Sequence, residues 1–90
     1  MIKVRLSSLL ESVGDGGELE LDFRGDIGAL IKELVRRYPG LGEEILTPQG
    51  ELEYHILVSV NARAISTLQG LETEVRDGDQ VDLHLILGGG

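Results

Sequence analysis

Apolar residues occupy alternate positions in several stretches of this chain and recur at helical spacing in one other. Ile2, Val4 and Leu6 alternate with Lys3 and Arg5, which predicts a strand with the three apolar side chains inward. Residues 7–13 are ambiguous: Leu9, Leu10 and Val13 fit one turn of helix, and the glycine-rich run 14–17 then breaks it. Residues 18–23 alternate again, with Leu19, Leu21 and Phe23 on one face and carboxylates on the other. The first two strands thus read as an antiparallel hairpin with a long connection.

The helical stretch follows. Asp26 is a good N-cap, and Ile27, Leu30, Ile31, Leu34, Val35 and Tyr38 form one apolar stripe, read as core. Arg36 and Arg37 fall in the last turn, where the helix dipole favours cations, and Pro39-Gly40 ends the pattern. Gly28 stands out as a glycine inside the helix. Residues 41–55 show no strong period beyond a short turn near Glu44 and read as an exposed loop. A third strand covers residues 56–61, with Ile56, Val58 and Val60 inward and Asn61 suited to a left-handed turn position. A short strand near Ala64 and Ile65, a connection through residues 71–75 and a tight turn at Asp77-Gly78-Asp79 lead to the last strand. There Val81, Leu83, Leu85 and Leu87 share one face, and Asp82, His84 and Ile86 the other.

The order is β-β-α-β-(β)-β. Alternating strands imply a sheet that covers a helix on one face and meets water or a partner on the other. The predicted fold is α+β, a β-grasp with a mixed sheet of four to five strands on one main helix. Ninety residues make one small domain, 1–90, trailing into a flexible glycine tail at 88–90.

Composition narrows the function. There is no cysteine, hence no disulfide and no thiolate metal site; this fits a reducing, cytoplasmic setting. No segment has the apolar run of a signal peptide or the length of a membrane span. The net charge of −8 and three aromatic residues speak against nucleic acid as a partner. His55 and His84 are the only histidines, and neither has carboxylates at ligand spacing, so no metal is expected. Arg63 and Arg76 read as solvated surface. The run at residues 14–17 lacks the helix and the Lys-Ser/Thr of a phosphate cradle.

The chemistry concentrates at Gly88-Gly89-Gly90. Residues without side chains pack nothing, yet they enter slots too narrow for any other residue. Fully extended, three of them reach roughly 10 Å. The carboxylate of Gly90 is the candidate reactive group, Gly88 and Gly89 thread it into place, and His84, Ile86 and Leu87 form a candidate docking patch.

The element order, the strand ending Val60-Asn61, the turn Asp77-Gly78-Asp79 and the terminal Gly89-Gly90 resemble the MoaD/ThiS family of ubiquitin-like sulfur carriers over nearly the whole chain. The branch it resembles most is the small subunit of molybdopterin synthase. It departs from that branch where Ile86-Leu87 stands in place of one or two prolines, and where residues 7–12 stand in place of an aromatic and Arg-rich segment. The resemblance implies adenylation of Gly90 by an E1-like adenylyltransferase using ATP, then displacement of AMP by a sulfur donor to leave a thiocarboxylate. The chain itself binds no cofactor and is no enzyme alone. It would dock on a molybdopterin synthase large subunit, in a heterotetramer, for molybdenum cofactor biosynthesis. Two other uses of the same end stay open: a ubiquitin-like modifier joined to lysines, or a sulfur carrier for tRNA thiolation. A plain interaction domain is the remaining alternative.

Overall fold

The strand predicted nearest the start of the chain and the one predicted last lie side by side, parallel, at the centre of the sheet. The computed structural model describes residues 1–7 and 17–85. In chain order the elements are β1 (Ile2–Ser7), β2 (Glu18–Leu21), β3 (Gly25–Asp26), α1 (Ile27–Arg37), α2 (Pro39–Ile45), β4 (Ile56–Val60), β5 (Arg63–Ala64), β6 (Glu74–Val75) and β7 (Gln80–Leu85), with 3-10 turns at Ile65–Thr67 and Gly70–Glu72. The main sheet runs β2-β1-β7-β4-β5, and β3 pairs with β6 in a separate two-stranded ribbon. Every pair in the main sheet except β1–β7 is antiparallel. This is the mixed-sheet β-grasp read from the sequence.

Strand alternation does the sorting. Ile2, Val4 and Leu6 of β1, Leu21 of β2, Ile56, Val58 and Val60 of β4, and Val81 and Leu83 of β7 turn to one face, where Ile27, Leu30, Ile31 and Leu34 of α1 meet them. Asp26 caps α1 as expected, its Oδ1 accepting from the Ala29 amide at 2.9 Å. The Ile27 amide donates to the Thr73 carbonyl at 2.9 Å, which ties the start of the helix to the ribbon.

Two readings need correction. Residues 41–55 are not one loop: beside the main helix α1, a shorter helix, α2, occupies Pro39–Ile45 and buries Leu41 and Ile45. Pro39 ends α1, then serves the first turn of α2, where a missing amide hydrogen is harmless. Gly42 hid this helix from a propensity argument. It is there because α2 lies against Val35: a Cβ at Gly42 would stand 2.9 Å from Val35 Cγ1. The second strand is shorter than predicted, stopping at Leu21, with Phe23 half-buried beyond it. The turn considered within residues 7–13, and Ile86, Leu87, Gly88, Gly89 and Gly90, lie outside the described residues.

Candidate functional site: the open sheet face and the exit of the last strand

The sheet face turned away from the helices is built by the alternate residues of four strands. In register across it stand Glu18 of β2, Arg5 of β1, Asp82 of β7 and Ser59 of β4. Arg5 Nε lies 3.9 Å from Glu18 and 3.7 Å from Asp82, and Lys3 Nζ lies 3.6 Å from Glu18. Asp82 is only 7% exposed although it sits on the open face. Arg5 covers one side of it, and Gln80 Nε2 donates to its two oxygens at 3.3 and 3.4 Å. A buried carboxylate needs such partners. This half of the face is therefore closed by charges that already satisfy one another.

The other half is different. One step further along β7, His84 stands between Ser7 of β1 and Leu57 of β4. His84 is half-buried, and Leu57 is 37% exposed. Leu85, the last described residue, is half-buried against the core. The apolar end of the open face therefore adjoins the point where β7 runs on toward Ile86. Of the candidate docking residues, the structure places His84 here; Ile86 and Leu87 follow directly in the chain. Leu57 was missed as a member of this patch. Its signal was present, since it alternates with inward-facing Ile56 and Val58.

The residues that carried the family resemblance sit at the opposite end of β7. Asn61 and Ala62 have positive φ, 50° and 70°, and form the two-residue turn between β4 and β5. The Asn61 side chain donates to Asp79 Oδ1 at 3.0 Å and accepts from the Gln80 amide at 3.0 Å. Asp79 Oδ2 accepts from the Arg76 amide at 2.8 Å, closing the turn before β7. Asn61 and Asp79 thus lock two turns together and fix where β7 begins. They are structural, some five residues or roughly 17 Å of strand from the exit at Leu85.

His55 belongs to neither region. Its ring packs edge-on against Tyr54 with centroids 5.4 Å apart, and its Nδ1 lies 3.7 Å from Glu53. Among the described residues, no three His, Asp or Glu side chains converge as metal ligands do. No helix among them is long and apolar enough to cross a membrane.

Comparison with known proteins places this geometry. Residues 7–90 match the model of the ThiS family. A provisionally named sulfur carrier protein of Archaeoglobus fulgidus is 37% identical over 90 residues, spanning 99% of this chain and 98% of that one. Sulfur carrier protein CysO of Mycobacterium tuberculosis is 32% identical over 78 residues, spanning 83% of this chain and 84% of its own. The solution structure of small archaeal modifier protein 1 from Methanosarcina acetivorans superposes with a TM-score of 0.81 at 27% identity, covering 99% of this chain and 95% of that one.

Proposed function

Because this chain belongs to the ThiS family of ubiquitin-like sulfur carriers, we propose that it carries sulfur as a thiocarboxylate on Gly90. The observation that carries this reading is β7. It is held by hydrogen-bonded neighbours on both sides and reaches Leu85 only three residues before the glycines. A central strand paired on both sides fixes the position of the domain's last described residue, and β-branched or bulky residues in place of the glycines that follow in the sequence would keep a partner's backbone from closing on them.

The free α-carboxyl is an anion at neutral pH, with a pKa of about 3.3–3.7, and a poor electrophile. It needs activation. An E1-like adenylyltransferase would join it to AMP from ATP, releasing pyrophosphate. Sulfide attacks the Gly90 carbonyl carbon and the bond to AMP breaks, leaving the thiocarboxylate. Where the donor is a protein persulfide, attack gives an acyl disulfide, and a second thiol of the donor or activating enzyme then displaces the thiocarboxylate, forming a disulfide with the donor thiol. With no cysteine in the chain, the terminal carbonyl is the place for that sulfur. The exposed end of the sheet at Leu57 and His84 offers the activating enzyme a foothold next to the exit. The chain contributes no turnover of its own.

In the finer reading the sulfur goes to a pterin precursor, with the chain docked on a molybdopterin synthase large subunit. Its support is the element order and the layout of Asn61, Asp79 and the glycines. A second reading, a protein modifier linked through Gly90 to lysines, is favoured by the structural likeness to small archaeal modifier protein 1.

The test is intact mass. With an activating enzyme, ATP and a sulfur donor, the chain gains about 16 Da as oxygen gives way to sulfur; a chain lacking Gly89 and Gly90 keeps its circular dichroism spectrum and gains nothing. Sulfur loading of the truncated chain, or its unfolding, would refute the reading. A loaded chain that then supports pterin conversion only with the synthase large subunit selects the finer reading, and Gly90-dependent higher-mass adducts in cells select the modifier.

A further inference from the structure

The chain holds three aliphatic amines: the N-terminus, Lys3 and Lys32. Two of them are engaged. The Met1 ammonium is paired with the Asp77 carboxylate, and Lys3 lies 3.6 Å from Glu18 on the charged half of the sheet face, with Glu20 directly opposite in register. Lys32 is exposed on α1, and no carboxylate among the described residues lies within ion-pair distance of it. Beside Lys32 is an apolar groove of about 100 Å³, bounded by Ile31, Leu46, Leu52 and Leu71 and floored in part by Gly28. A cavity of ~150 Å³ holds a benzene ring, so this one admits a single branched aliphatic side chain. Leu71, at its rim, is 45% exposed.

We propose that Lys32 is the acceptor amine for a second copy of this chain, its Nζ taking the acyl group of that copy's Gly90 while the arriving Leu87 seats in the adjoining groove. The inference rests on the modifier reading of Gly90. It commits to this occupant because the end of the chain supplies both things the site calls for. An aliphatic residue stands three positions before the acyl group, within a reach of roughly 10 Å, and the acyl group itself is what an amine accepts. Gly90 arrives as a mixed anhydride with AMP, made from ATP by an adenylyltransferase. The neutral Lys32 amine attacks the carbonyl carbon, a C–N bond forms, the C–O bond to AMP breaks with its electron pair leaving on the phosphate, and the amine proton passes to water.

Two copies each carrying −8 repel at long range, but salt screens that over about 8 Å. Locally α1 is positive: Lys32, Arg36 and Arg37 stand against the single carboxylate of Glu33.

The test offers the folded full-length protein two acyl donors: a thioester of the hexapeptide Leu-Ile-Leu-Gly-Gly-Gly and a simple acetyl thioester. Proteolysis and mass spectrometry then count acylation at Met1, Lys3 and Lys32. The peptide donor is expected to favour Lys32 over Lys3 by roughly tenfold more than the acetyl donor does, the low end of what burying one aliphatic side chain yields. Leu71→Asn, an exposed and uncharged change, is expected to remove that excess, with the variant's peptide preference read against its own acetyl preference. An equal preference from both donors overturns the inference, as does peptide acylation falling mainly on Lys3 or Met1. In host cells, Lys32→Arg is expected to abolish self-linked species that Lys3→Arg retains. Gly90-dependent adducts on other proteins with none at Lys32 sink this inference alone; no Gly90-dependent adduct on any protein sinks the modifier reading and this inference with it.

Discussion

Ala62 is the residue most visibly at odds with its backbone. Its φ of 70° is left-handed, where a Cβ crowds the following carbonyl, and it occupies the second position of a turn that favours Asn-Gly. Ala62→Gly removes that crowding but gives the unfolded chain more freedom. The net expectation is a gain of about 0.5–1 kcal/mol, read as a higher urea midpoint with an unchanged slope. Glu33 supplies a pH-dependent counterpart. Hydrogen bonds from Arg36 and then Arg37, at 2.7 Å each, hold its carboxyl at about 2, well below the usual 4.5. A lowered folded-state pKa means its stabilisation is complete above 4.5 and is lost as pH falls from 4.5 toward 2. The stability difference between wild type and Glu33→Gln should therefore shrink across that window. If the two chains keep a constant gap, the arginine contacts contribute nothing in solution. At this scale the sequence was informative where chemistry is local: the Asp26 cap and the left-handed Asn61 were both legible. The burial of Asp82 was not, because it depends on Arg5, seventy-seven positions away and adjacent only through β-sheet register.

Strands announced themselves by period two, and the pairing of the outermost ones followed from a single helix lying between hairpins. What stayed hidden were elements whose logic is tertiary. The helix α2 has two glycines and a proline in seven residues; Pro39 suits its first turn, and Gly42 is explained only by its close approach to Val35 of α1. The two-residue strands β3 and β6 are too short for any periodic signal and exist because the start of α1 is tied to Thr73. Of the candidate site, the sequence showed the glycines and His84 but not that Leu57 completes an apolar corner on the neighbouring strand. That corner yields a prediction at the level of the sheet. Leu57→Asp changes an outward position, where β-preference spans only about 1 kcal/mol, so thermal unfolding should shift little. Activation of Gly90 should fall by roughly tenfold if the side chain is a buried contact with the activating enzyme. Unchanged sulfur loading would remove this patch from the docking surface.

For the molecule as a whole, the decisive arrangement is that β7 lies between β1 and β4. Joining positions 3 and 80 closes a loop of more than seventy residues, an entropic demand of about 4 kcal/mol before any constant term. No shorter piece of the chain owns a complete sheet, and a copy clipped anywhere between these strands bares two edges at once. An enzyme that grips the face around Leu57 and His84 is thus touching residues that share a surface only when synthesis, folding and closure have all succeeded. If Gly90 is activated as proposed, the sheet would act as a certificate of integrity for the acyl end, with ATP consumed on whole molecules and damaged copies passed over.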